Sequence, residues 1–155
     1  MSLSIATSTA LADGRLSASR EIVVDRAPAT VWKLLGEFNA LDIWLPPVQA
    51  SSFTGNAARP GAIRILDLGN RAKVTEELVA YDGAERSYSY RFLDSPLPVK
   101  NYVATLRVRE APGGKSLIQW GSTFDAAGAP DEQAREAILG IYDAGLKNAA
   151  TIFSR

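Results

Sequence analysis

Residues 99–126 read VKNYVATLRVREAPGGKSLIQWGSTFDA, and the alternation within them decides the fold class. Tyr102, Ala104, Leu106 and Val108 are apolar at every second position. After Pro112-Gly113-Gly114 the same period returns in Ile118, Trp120 and Phe124, with Ser122 in step. A period of two puts these side chains on one face of an extended strand, and Pro-Gly-Gly between two such runs reads as a turn. Strands that alternate in this way belong to an antiparallel sheet with one face covered.

Working outward, four more runs of the same kind precede this pair, at 48–53, 62–68, 73–81 and 86–93. Turn signals at 55–61, Gly69-Asn70, Asp82-Gly83 and 94–98 separate them. A further strand at 17–24 holds the β-branched Ile22, Val23 and Val24. Pro28 then suits a first helical turn, where its missing N–H is no loss. Val31, Trp32, Leu34 and Leu35 give a short amphipathic helix that Gly36 closes. A second helical piece at 39–44 stops at Leu45-Pro46-Pro47. Two such short helices cannot form a core alone; they must plug something larger.

At the other end, 131–153 predicts one long helix. Pro130 precedes it, and Asp131, Glu132 and Glu136 fall in its first turns, where the helix dipole favours anions. Ala134, Ala137, Ile138, Ile141, Tyr142, Gly145, Ala149 and Ile152 make an apolar stripe at helical spacing. The reading is therefore an α+β chain: a seven-stranded antiparallel curved sheet wrapped around a long C-terminal helix, with two short helices after strand one. Residues 1–16 read as a loose N-terminal arm and 17–155 as a single domain.

Composition removes much chemistry. The 155 residues contain no Cys and no His. Disulfides, thiolate nucleophiles, His bases and the common zinc or iron–sulfur ligand sets are excluded, so neither a metal nor a cofactor is expected. Seventeen basic residues balance seventeen acidic ones, which gives no electrostatic reason to expect nucleic acid. No apolar run approaches the ~20 residues that span a bilayer, so no stable membrane insertion is expected. Met1-Ser2-Leu3 reads as a cloning scar, and the start has no signal-peptide pattern. The expected compartment is the cytoplasm, or the periplasm if a leader has been trimmed.

The order of elements and a set of local motifs resemble the helix-grip superfamily, which includes START lipid-transfer domains and the birch-pollen-allergen fold. Within it the chain is similar to the bacterial polyketide cyclase/dehydrase-like branch. The motifs are Ala27-Pro28-Ala29-Thr30-Val31-Trp32, Trp44-Leu45-Pro46, Gly61-Ala62-Ile63-Arg64, Thr75-Glu76-Glu77-Leu78, Leu97-Pro98-Val99-Lys100-Asn101-Tyr102, and 120–124 followed by the closing helix. The resemblance implies a helix-grip ligand-binding domain with a deep apolar cavity between sheet and long helix. It also implies two gate loops, matched here by Leu68-Gly69-Asn70-Arg71 and by 94–98. The gate motif of the plant abscisic-acid receptors is absent from the first loop, so hormone recognition is not carried over.

Arg64 and Glu76 are the most informative charged residues. If Gly69-Asn70 is a tight hairpin, residues whose numbers sum to about 140 face one another. Leu66 then opposes Val74 and Arg64 opposes Glu76, on a face that Leu68 and Leu78 make apolar. Either this is an inner pair, structural or with the Arg64 guanidinium pointing into the cavity where a ligand carboxylate or carbonyl can recruit it, or both charges lie on the surface. Tyr88, Tyr90, Phe92, Tyr102, Trp120 and Phe124 share a predicted inner face. The resemblance puts Tyr102 near the ligand, whereas Trp120 suits core packing and pocket lining equally. Gly145 marks a close approach, by the sheet or by a ligand.

The expected ligand-binding set is Arg64, Leu66, Val74, Glu76, Tyr90, Phe92, Tyr102, Trp120, Ile138, Ile141 and Tyr142. No catalytic residue is assigned. The leading functional reading is binding or transport of a small hydrophobic, lipid- or polyketide-like molecule. The alternatives are a cyclase or dehydratase acting on an aromatic or enolisable substrate, with Tyr102, Arg64 and Glu76 orienting it, and an interaction module that uses the gate loops.

Overall fold

The computed structural model describes residues 14–155. Most of the expected N-terminal arm, residues 1–13, lies outside the described residues. Strands β1 (Leu16–Val24), β2 (Ala50–Thr54), β3 (Ile63–Gly69), β4 (Ala72–Asp82), β5 (Ser87–Asp94), β6 (Val99–Ala111) and β7 (Lys115–Ala126) form one antiparallel sheet. Its order is β1-β7-β6-β5-β4-β3-β2, so β2 to β7 run as a meander and β1 closes onto β7. Helices α1 (Pro28–Leu35) and α2 (Leu41–Trp44) follow β1, and α3 (Asp131–Phe153) ends the chain. This is the α+β architecture the periodicity implies: a curved sheet gripping one long helix.

The alternating residues carry the core. Leu106, Val108, Ile118 and Phe124 are fully buried on the inner face, and Val31 and Leu35 of α1 and Phe38 in the link after it pack with them. Each such side chain contributes about 1.5–3 kcal/mol when taken from water. From α3 the core receives Ala134, Ile138, Tyr142, Leu146, Ala149 and Phe153. Leu146 and Phe153 thus join the stripe, whereas Ala137, Ile141 and Ile152 sit at its half-buried margin.

Two departures from simple pairing aim the inner face. The β3–β4 turn is displaced one residue from the expected Gly69-Asn70: Gly69 pairs with Ala72, and Asn70 and Arg71 take the two left-handed central positions (φ 53° and 68°). That geometry matches the hairpin turn whose twist suits the strands. A bulge between Asp67 and Gly69 absorbs the displacement, so the anticipated pairs Leu66–Val74 and Arg64–Glu76 stand. In β6, Val99 and Tyr102 both face inward, which a strict period of two forbids. A bulge between Lys100 and Val103 supplies the extra residue, with Asn101 left-handed (φ 55°) and its Nδ2 donating to Asp125 Oδ2 at 2.9 Å. Val48 leaves the expected β2 altogether. Its N–H bonds Leu45 O at 2.9 Å in the turn after α2, and the side chain is buried.

Helix α2 has only four residues, so packing must hold it in place. Asn148 Nδ2 of α3 donates to the Trp44 carbonyl at 2.9 Å. Trp44 packs on Trp120, with ring centroids 5.3 Å apart. Gly145 allows this approach: a methyl there would lie 2.8 Å from Leu45 Cδ1 and 2.9 Å from Trp120 Cζ3. Gly145→Ala is therefore expected to lose about 1–3 kcal/mol despite its better helix propensity, by forcing α2 outward. Urea unfolding checks this. Gly140, with open space around its Cα, serves as the control: Gly140→Ala should stabilise by up to about 1 kcal/mol.

Candidate functional site

Beneath α2, between the inner sheet face and α3, lies a partly enclosed apolar cavity of about 60 Å³. Of the expected binding set, it brings together Leu66, Val74, Glu76, Tyr90, Phe92, Tyr102, Trp120 and Ile141. Arg64, Ile138 and Tyr142 are not in its wall. Ile138 is buried on the core stripe of α3. Tyr142 stands behind the wall, bonded to Tyr102 and stacked on Trp120 at 4.4 Å. Arg64 stands behind Glu76. The expectation that its guanidinium points into the cavity is corrected on this point, although the pair itself forms.

The wall also contains residues that strand periodicity did not single out. Leu41, Leu45, Pro47 and Val48 come from α2 and the turn after it, and Leu68 and Leu97 from the two expected gate loops. The signal for the α2 group was the plug role of a helix too short to stand alone. A larger depression lies elsewhere, about 850 Å³ on the outer face, across β1, β7 and β6. It is open and carries Ser19, Thr105, Arg107, Gln119 and Thr123. The partly enclosed apolar cavity with few polar groups is the better candidate for a hydrophobic ligand.

The size of the inner cavity matters. An engineered cavity of about 150 Å³ accepts benzene. At about 60 Å³ the inner chamber is smaller, so the deep cavity that the resemblance implies is not open in this arrangement. A ligand larger than this must displace part of the wall, and α2 with its four residues is too short to hold its place by its own backbone bonds.

Two polar systems border the chamber. In the first, Arg64 Nε donates to Glu76 Oε1 at 2.6 Å, and Nη1 donates to the Phe38 carbonyl at 2.7 Å and to Tyr88 Oη at 3.2 Å. The guanidinium also lies 4.1 Å from the Phe38 ring centroid and 4.8 Å from that of Tyr90. Burial works against its charge, but the oxygens of Tyr88, Glu76 and Tyr90 outweigh it and hold Arg64 protonated. Burial pushes the Glu76 carboxyl above its ordinary range, and Arg64 pulls it part of the way back.

The second system is a chain of phenols. Trp120 Nε1–H donates to Tyr90 Oη at 3.0 Å, Tyr90 and Tyr102 hydroxyls stand 3.5 Å apart, and Tyr102 bonds Tyr142. Burial raises all four inner tyrosines, Tyr88, Tyr90, Tyr102 and Tyr142, above the usual phenol range.

Comparison with known proteins agrees with this architecture. The model of a family described as polyketide cyclase/dehydrase and lipid transport matches residues 15–153. No curated protein matches the chain. Among solved structures, XoxI of Bacillus cereus is 32% identical with a TM-score of 0.83, over 89% of this chain and 95% of that one. A Bacillus thuringiensis protein is 30% identical with a TM-score of 0.84, over 90% and 100% of the two chains. A Thermobifida fusca protein is 30% identical with a TM-score of 0.79, over 90% and 93%.

Two predictions follow from the polar systems. Arg64→Met strands Glu76 in an apolar interior and should cost about 3–5 kcal/mol, and adding Glu76→Gln should restore at least half of it. A double-mutant cycle by urea unfolding checks the coupling. The phenols predict alkaline sensitivity. In the unfolded chain they ionise near pH 10, whereas the folded state keeps them protonated. Their stabilisation is complete below pH 10 and declines as pH rises toward their folded-state values. Each phenol costs about 1.4 kcal/mol per pH unit in that window. Unfolding free energy should fall steeply from pH 10 to 11, while native protein shows little phenolate absorbance.

Proposed function

The chain belongs to the polyketide cyclase/dehydrase and lipid transport family, and from that premise we propose that it binds a small hydrophobic molecule, of lipid- or polyketide-like character, in the chamber beneath α2. The family fold supports hydrophobic-ligand binding in general. The observation that carries the proposal here is the composition of the wall: aliphatic and aromatic side chains, with Leu68 and Leu97 supplied by the two gate loops, and with Glu76, the phenols of Tyr90 and Tyr102 and the indole N–H of Trp120 as its polar groups. Displacement of α2 enlarges the chamber, and the ligand replaces the contacts that Leu41, Leu45 and Pro47 give up. No helix among the described residues is long and apolar enough to cross a membrane.

A second reading is supported by the same polar groups. A carboxylate beside phenol donors in a dry chamber suits the withdrawal of a proton from an enolisable carbon and the stabilisation of the resulting enolate oxygen. The two readings separate on turnover: a carrier returns its molecule unchanged.

The binding proposal is tested with a neutral fluorescent probe such as N-phenyl-1-naphthylamine. One probe per chain is expected, with energy transfer from Trp120. Val74→Phe, which fills the chamber, should weaken binding at least about tenfold. Thr105→Trp, in the outer depression, should leave it unchanged. Binding that ignores Val74→Phe, or that Thr105→Trp abolishes, would place the ligand elsewhere and overturn the proposal.

A further inference from the structure

The Arg64–Glu76 pair meets the chamber with one partner only. Glu76 is in the wall and Arg64 is not. Among the described residues, the carboxylate accepts one side-chain hydrogen bond, at Oε1 from Arg64 Nε, and none at Oε2. Arg64 is wholly buried behind it, with its Nε and Nη1 donors committed to Glu76, Phe38 and Tyr88. The chamber therefore presents a hydrogen-bond acceptor with its counter-ion already in place.

Two consequences follow. The pair is neutral as a unit, so a ligand charge of either sign would be buried without compensation. A ligand carboxylate would in addition meet Glu76 as a like charge. What the wall lacks is a donor for Glu76 Oε2. It also lacks a good acceptor for the Tyr90 proton: that hydroxyl accepts from Trp120 at 3.0 Å, and its nearest other partner is Tyr102 Oη at 3.5 Å. A hydroxyl group offers both a donor and an acceptor.

We propose that the chamber selects uncharged hydrophobic molecules that carry a hydroxyl, which donates to Glu76, and that it discriminates against carboxylic acids. This deepens the binding proposal above and rests on it. The ligand class is the opposite of the acidic one that a cavity-facing Arg64 implies.

Three probes of one skeleton test the proposal in the unmutated protein: naphthalene, 2-naphthol and 2-naphthoate, each competing against bound N-phenyl-1-naphthylamine at pH 7. A hydrogen bond to a charged acceptor predicts that 2-naphthol binds about tenfold more tightly than naphthalene, and 2-naphthoate more weakly than either. In Glu76→Gln, which frees the Arg64 charge, the preference should turn toward 2-naphthoate. If 2-naphthoate binds the unmutated protein as tightly as 2-naphthol, or if naphthalene and 2-naphthol bind equally, the proposed selectivity is overturned while the chamber stands as a binding site. If none of the three competes, the selectivity and the chamber reading fall together.

Discussion

A guanidinium with no exposed surface is tolerated in an apolar interior only when its charge is answered there. Arg64 of β3 receives that answer from three directions: the Glu76 carboxylate of β4, the Phe38 carbonyl in the link between α1 and α2, and the Tyr88 hydroxyl of β5. The rings of Phe38 and Tyr90 cover its faces. One side chain thus ties three neighbouring strands to the segment that leads into α2. The cavity wall depends on this post, because Glu76 and Tyr90, both in the wall, take their positions around it. Its Nη2 is buried without a hydrogen-bond partner among the described residues, a cost the rest of the network must offset.

The chamber is narrow for a related reason. Gly145 brings α3 against Leu45, Trp44 and Trp120, so the gap between helix and sheet is closed by a four-residue helix rather than left open. Contacts of this kind are individually weak and collectively strong. A ligand of suitable shape can replace them one for one, which makes a small chamber compatible with binding a larger molecule. The related solved structures share the fold at about one-third identity. Such likeness carries the architecture; the chemistry of the chamber is set by the particular residues that line it.

Much of this was legible along the chain. The alternations in β6 and β7 named Tyr102, Leu106, Trp120 and Phe124 as inward-facing, and all four are buried. The hairpin at Gly69-Asn70 placed Arg64 opposite Glu76, and the pairing held even though the turn moved by one residue, because a bulge absorbed the difference. Less legible was the break in period between Val99 and Tyr102, since a bulge is a local insertion that alternation hides. The contribution of Leu41, Leu45, Pro47 and Val48 to the wall was also missed. Their spacing says that they are buried, not against what.

The sequence by itself determined the order of the elements, the face that each strand turns inward, and the register that sets Arg64 opposite Glu76. These follow from periodicity and turn chemistry, which act over a few residues. Only the tertiary structure decided that both charges are buried, that Glu76 rather than Arg64 reaches the chamber, that Ile138 and Tyr142 stand behind the wall, and that α2 closes the space to about 60 Å³. Those outcomes depend on how closely α3 approaches the sheet and on which way a long side chain turns once its partners surround it. Both are set by contacts between residues far apart in the chain, such as Gly145 with Leu45 and Arg64 with Phe38.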